Sequence, residues 1–310
     1  MVSSFWLFSS LLLSVCQSLD VSTSARAKTT TGYVTAPGAS LYYETYGSGP
    51  LLVFISGANG DADIWRSVAQ NISAYNNYTV AIYDRRGFSR SALATTTVQN
   101  YTQRLHTDVN DTRLLIDTLS PKEPATVLGT SSGAIVALEL LLTYPESLST
   151  LIAHEPPALT ILPDVVKLKA AQIKAYETYR AAGIPPAMLQ FALLQDPTFT
   201  PSASGSQVGF SIDTRTSPYL SGNLQYWFER EFLQYPFQNF TVSDFAKNKA
   251  KLVLANGKTT NPVGSQYRSN ILMGKELGLN VSYLAGSHVG YAGDTMAEFA
   301  KDLMAVLAAR

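Results

Sequence analysis

Apolar residues recur along this chain in two rhythms. Leu51 to Ile55 is a continuous apolar run and reads as a buried strand, and Tyr78 to Tyr83, Ala125 to Leu128, Thr150 to Ala153, Lys251 to Asn256 and Leu279 to Leu284 read as further strands. Longer stretches at helical spacing lie between them. Thr102 to Leu119 carries apolar residues at Leu105, Val109, Leu114, Leu115 and Ile116, Asp63-Ile64-Trp65 opens another helix, and Met296 to Ala309 forms the last. Gly32 to Gly47 alternates apolar and polar residues around Pro37-Gly38, which predicts a hairpin. Strands alternating with helices predict an α/β fold, a mostly parallel sheet with helices on both faces.

The rhythm stops between residues 158 and 244. That stretch predicts helices at Asp164 to Ala182 and Pro186 to Leu194, a polar segment at Ser202 to Gly209, and an aromatic helix within Tyr219 to Phe237. An insertion of this kind after one strand reads as a helical cap over the carboxyl ends of the strands, where open α/β sheets bind ligands. The expected organisation is a signal peptide at 1–18, a Ser/Thr-rich lead-in at 19–31, a core at 32–157 and 245–310, and the cap at 158–244. Tyr226, Trp227 and Phe228 are adjacent, so they point about 100° apart and at least one should face the ligand. Trp227 is the first choice as a substrate-lining residue and Tyr226 the second.

Composition narrows the function classes. The 310 residues are 46% hydrophobic and 15% charged, with 23 basic and 23 acidic side chains. No basic run stands out, so nucleic acid is not an expected partner. The body of the chain has no apolar run of membrane-spanning length. Phe5 to Val15 is short and apolar, and Cys16 and Ser18 are small residues suited to a cut after Ser18. The start lacks Lys and Arg, so an uncleaved anchor is the alternative. N-x-S/T sequons at Asn71, Asn77, Asn100, Asn110, Asn239 and Asn280 exceed chance and point to a glycosylated protein of the secretory pathway. The single cysteine, Cys16, would leave with the signal peptide, so the mature chain would contain no disulfide. The mature form is expected to be free of the membrane.

The chemistry concentrates at Gly129-Thr130-Ser131-Ser132-Gly133. A strand precedes this pentad and an apolar helix follows it, which is the context of a nucleophile elbow. Ser131 would sit on a strained turn with an exposed hydroxyl at a helix N-terminus, where backbone N–H groups favour an oxyanion. The expected oxyanion donors are the N–H of Ser132 and one from Gly57 or Ala58, in the small-residue loop after the first buried strand. A serine needs a base. His288, in the loop after the last strand, is the choice. His106 lies within a helix, and His154 near a strand end should face away from whatever Glu155 faces. The loop after the strand that follows the cap, Asn256 to Pro262, has no carboxylate. Asn261 there could orient an imidazole but not stabilise its charge. Asp294 is explained as the N-cap of the last helix. Glu155, at a strand end beside the elbow, remains as the acid. Asp84, Arg85 and Arg86 are expected to brace loops rather than to react.

With these residues in view the chain resembles the α/β-hydrolase superfamily. The resemblance rests on Ser56-Gly57, on D-x-R-G-x-S-x-S at Asp84 to Ser91, on G-x-S-x-G at the elbow, and on G-x-H-x-G-Y at Gly286 to Tyr291. S-S-G-A at Ser131 to Ala134, together with H-E-P around Glu155, is similar to the fungal zearalenone-type lactone hydrolases. That resemblance implies an α/β-hydrolase fold and a Ser131, His288, Glu155 triad. The expected activity is cleavage of an ester or lactone of a hydrophobic small molecule through an acyl-enzyme, with no metal or cofactor required. Two other readings fit the same residues: a non-hydrolytic cyclase or C–C bond lyase, and a catalytically silent ligand-binding protein.

Overall fold

The computed structural model describes residues 29–75, 77–199 and 217–310. The expected signal segment, Cys16, most of the lead-in and the polar Ser202 to Gly209 segment lie outside the described residues.

Eight strands form one sheet: β1 (Thr29–Ala36), β2 (Ala39–Gly47), β3 (Leu51–Ile55), β4 (Thr79–Tyr83), β5 (Ala125–Thr130), β6 (Leu148–His154), β7 (Leu252–Gly257) and β8 (Val281–Leu284). Their spatial order is β1-β2-β4-β3-β5-β6-β7-β8. The pairs β1·β2 and β2·β4 are antiparallel, and the remainder are parallel. β1 begins at Thr29 and pairs that residue with Tyr46, so the last three residues expected in the lead-in belong to the sheet. Their side chains are polar and exposed at the sheet edge, which is why no apolar alternation marked them.

The apolar runs are continuous because both faces of the central strands are covered. Along β3, Leu51, Val53 and Ile55 join one core while Leu52 and Phe54 join the other. The first core packs under α2 (Arg104–Leu119), α3 (Ser132–Thr143) and α7 (Ser265–Leu277). The second packs under α1 (Arg66–Ser73) and α8 (Met296–Ala308), with Trp65 stacked on Tyr291.

Between β6 and β7 the chain forms α4 (Val165–Ala182), α5 (Ile184–Gln195) and α6 (Leu220–Arg230). They share their own cluster, in which Ala175, Met188, Phe191, Leu224, Trp227, Phe228 and Phe232 are buried with Ala58 and Phe88 of the core. Phe240, Val242 and Phe245 then pack into the first sheet core, returning the chain to β7. Among the described residues, no helix is long and apolar enough to cross a membrane.

Candidate active site

β5 ends at Thr130 and α3 begins at Ser132, so Ser131 alone makes the turn, with φ 53° and ψ −125°. That conformation is strained for a residue with a side chain. It fits because the positions two residues before and two residues after it are glycine. A Cβ at Gly129 would strike the carbonyl oxygen of Gly133, and one at Gly133 would strike those of Ile55 and Ser56. The first bonds within α3 run from Ala134 and Ile135 back to the carbonyl of Ser131. The N–H groups of Ser132 and Gly133 therefore precede the helical ladder, as expected of oxyanion donors.

Gly57 lies against Ser131. A Cβ there would be 2.9 Å from the Ser131 Cβ and 3.6 Å from its Oγ. Ala58 follows it and is 2% exposed. Both faces of the expected oxyanion site, Ser132 on one side and Gly57-Ala58 on the other, thus meet at Ser131.

The parallel register of β5 and β6 pairs Thr130 with His154, and the N–H of Ser131 donates to the carbonyl of His154 at 3.0 Å. The next residue is Glu155, with φ 48°. Its carboxylate is fully buried, and its Oε2 lies 2.6 Å from Nδ1 of His288. Its Oε1 accepts the N–H of Gly257 at 2.8 Å. Burial alone would raise the Glu155 pKa, but the bond to His288, the neighbouring imidazole charges and the Gly257 N–H bring it below the ordinary carboxylate value. The end of β7 thus contributes a backbone donor, next to a loop that offers no carboxylate. Sequence reasoning missed Gly257 because any residue other than proline carries an N–H.

Several expectations are corrected. The Ser131 side chain lies in a recess rather than on an open surface: the residue is 6% accessible. Phe191, Trp227, Pro157, Leu159, Pro236, Gln172 and Gln195 close over it around a cavity of about 10 Å³. That is room for about one water. Trp227 lines this cavity. Tyr226 does not. It points to the seam between cap and core, edge-on to Phe88 and beside the Arg104 guanidinium. The roughly 100° step between adjacent helical residues explains the difference. His154 does not face away from the site. Strand alternation fails at Glu155 because its φ is positive, and the His154 ring lies 6.3 Å from that of His288. His154 is fully buried, and among the described residues neither ring nitrogen has a hydrogen-bond partner. Burial holds its pKa down at about 4. Asp294 is not the N-cap of α8. An added 3₁₀ turn, Gly293–Thr295, makes Thr295 the N-cap and leaves Asp294 exposed.

Asn261 bonds Asp196 at 2.6 Å and makes no bond to His288. His106 is exposed on α2. Asp84, Arg85 and Arg86 are buried in ion pairs. Asp84 holds Arg90, Arg86 holds Asp111, and Arg85 joins Asp108 to Glu231 of the cap. Among the described residues, no group of three or more His, Cys, Asp or Glu side chains could hold a metal ion.

Comparison with known proteins agrees with this fold. A family description of the alpha/beta hydrolase fold matches residues 50–203. The uncharacterised hydrolase YraK of Bacillus subtilis is 41% identical over 131 residues, which span 42% of this chain and 46% of YraK. The match thus spans less than half the length of that relative. The zearalenone hydrolase of Bionectria ochroleuca is 27% identical over 261 residues, covering 83% of this chain and 90% of that protein. A proline iminopeptidase-related protein of Thermus thermophilus superposes with a TM-score of 0.63 at 23% identity, covering 91% of this chain and 98% of that one. The chain belongs to the α/β-hydrolase superfamily.

Proposed function

We propose that the protein is a serine hydrolase that cleaves an ester or lactone of a hydrophobic small molecule through an acyl-enzyme. The observation that carries this reading is the 2.6 Å pairing of His288 Nδ1 with Glu155 Oε2, one residue along from the carbonyl that holds the Ser131 amide. In this reading Ser131 Oγ attacks the substrate carbonyl and His288 takes its proton. The N–H groups of Ser132 and Ala58 receive the developing oxyanion. His288 then protonates the leaving alcohol, and water releases the acid by the same route in reverse. Glu155 holds the imidazole in one orientation and stabilises its cation.

The lining of Trp227, Phe191, Leu159, Pro157 and Pro236 supports an apolar substrate. The broad match to a zearalenone hydrolase supports a lactone among the candidate esters. A serine at the elbow supports acyl transfer, since the epoxide and haloalkane hydrolases of this fold use aspartate there. The exposed side chains of Asn71, Asn77, Asn100, Asn239 and Asn280 are compatible with glycans, in line with secretion. Labelling with a fluorophosphonate, together with acid release from p-nitrophenyl esters and macrocyclic lactones, tests the assignment. Labelling without acid release would favour the cyclase or lyase reading. Absence of both would favour the silent binder.

A further inference from the structure

Arg85 does more than pair charges. Its side chain is 1% exposed and its guanidinium forms a fork on Glu231, with Nη1 2.8 Å from Oε1 and Nη2 2.8 Å from Oε2. Nη1 also donates to Asp108 at 2.9 Å. Nη2 donates to the carbonyl of Gly57 at 2.7 Å. That carbonyl also accepts the N–H of Gly60 at 2.9 Å, and the backbone N–H of Arg85 donates to the Gly60 carbonyl at 2.9 Å. Arg85 therefore grips the loop after β3 at both ends.

The peptide joining Gly57 to Ala58 is planar and trans, so its N–H points opposite to its carbonyl. Two donors fix that carbonyl on the Arg85 side, which fixes the direction of the Ala58 N–H on the other. Gly57 touches Ser131, so the aim of this N–H decides whether the oxyanion meets one donor or two. Glu231 belongs to the cap, immediately after α6, and is fully buried. The cap also reaches the same loop through Asn223, whose side chain donates to Asn59 at 3.2 Å.

We infer that Arg85 is a positioning residue for the oxyanion hole, and that Glu231 couples the seating of the cap to the aim of the Ala58 N–H. The inference rests on the serine acyl-transfer reading above. A guanidinium suits this task because one rigid plane can serve a carboxylate and a carbonyl together, which an ammonium cannot do.

The test compares wild type with Arg85→Lys and Glu231→Gln. Active sites are first titrated with a fluorophosphonate, so that rates refer to folded enzyme only. Binding is then measured for an aryl trifluoromethyl ketone, whose serine adduct carries an oxyanion, and for the corresponding alcohol, which forms no adduct. Arg85→Lys is expected to lower kcat and ketone affinity together by roughly tenfold to hundredfold, less than the loss of a whole donor. KM and alcohol affinity should change less than about threefold, since ground-state binding does not use the hole. Glu231→Gln keeps the shape and should move kcat and ketone affinity the same way by about three- to tenfold. It carries the test alone if Arg85→Lys yields no folded enzyme. Equal losses of ketone and alcohol affinity, or kcat values at the wild-type level, would overturn the inference. Wild-type enzyme that the fluorophosphonate does not label would overturn the serine reading itself, before any variant is compared.

Discussion

Glu155 and His288 meet at 2.6 Å although 133 residues separate them, and the glutamate side chain is completely buried there. Two strand ends and one loop converge to make this contact. β6 delivers the carboxylate, Gly257 at the end of β7 supplies a second donor to it, and the turn after β8 delivers the imidazole. A charge partner at the end of β6 makes one after β7 unnecessary.

Glu155→Gln keeps the shape of this contact and removes its charge. A kcat loss of roughly 10²- to 10⁴-fold is expected, with little change in folding. Asn261→Ala and Asp294→Asn should each cost less than about tenfold, or about 1.4 kcal/mol of barrier. Steady-state kinetics on one p-nitrophenyl ester ranks the three. A crippled Asp294→Asn beside a mild Glu155→Gln would reverse the assignment.

His154 makes acid stability a second readout of the site. Its ordinary pKa of 6.5 drops to about 4 on folding. Above pH 6.5 both folded and unfolded imidazole are neutral, and the group contributes no pH dependence. As the pH falls from 6.5 towards 4, only the unfolded chain takes the proton, so stability is lost across that window. The gap corresponds to ~3 kcal/mol. Glu155 acts lower, because its contribution persists until the pH falls below the ordinary carboxylate value. His154→Phe removes two unpartnered nitrogens and should raise Tm more at pH 5 than at pH 7.5. Equal shifts at the two pH values would mean that His154 is not held neutral by burial.

Trp227 both packs and lines. Its ring lies edge-on to Phe191 at 5.4 Å and to Phe232 at 4.8 Å, and it borders the cavity at Ser131. Trp227→Phe should therefore change relative kcat/KM across p-nitrophenyl esters of increasing acyl length, with larger acyl groups gaining. A fall in Tm with relative kcat/KM unchanged would assign the side chain to packing alone.

The sequons differ in setting. Asn110 is half-buried, and its side-chain oxygen accepts the Tyr144 hydroxyl at 2.9 Å, whereas the other five are exposed. Expression in a eukaryotic host should give a chain lacking residues up to about Ser18, with glycans at exposed sequons and least at Asn110. N-terminal sequencing and glycopeptide mass spectrometry check this. An intact Met1 or Val2 terminus with no glycan would contradict secretion.

What the sequence disclosed followed from local rules. Leu51 to Ile55 was legible to the residue because a strand buried on both faces leaves an unbroken apolar run. The elbow was legible because the packing around Ser131 leaves space only for glycine on either side. Glu155 stood out as the candidate acid through the missing carboxylate after β7 and its position at a strand end, and the structure places it against His288. Other features depend on long-range contact and leave no local mark. Arg85 and Glu231 lie 146 residues apart, and neither sits in a pattern that names the other. The direction of Tyr226, the proximity of His154 to His288 and the turn that displaces Asp294 each depend on a backbone angle or a helix start that periodicity does not resolve to one residue.

Ser131 carries the central claim, and one paired experiment addresses it most directly. Wild type and Ser131→Ala are treated with a fluorophosphonate, the modified peptide is located by mass spectrometry, and ester hydrolysis is measured on the same preparations. The expected result is a single adduct on Ser131 in wild type, none in the variant, and a kcat loss on the order of 10³-fold or more with Tm unchanged. A Ser131→Ala variant that hydrolyses the ester at a near-native rate, or an adduct on another residue, would contradict the serine mechanism.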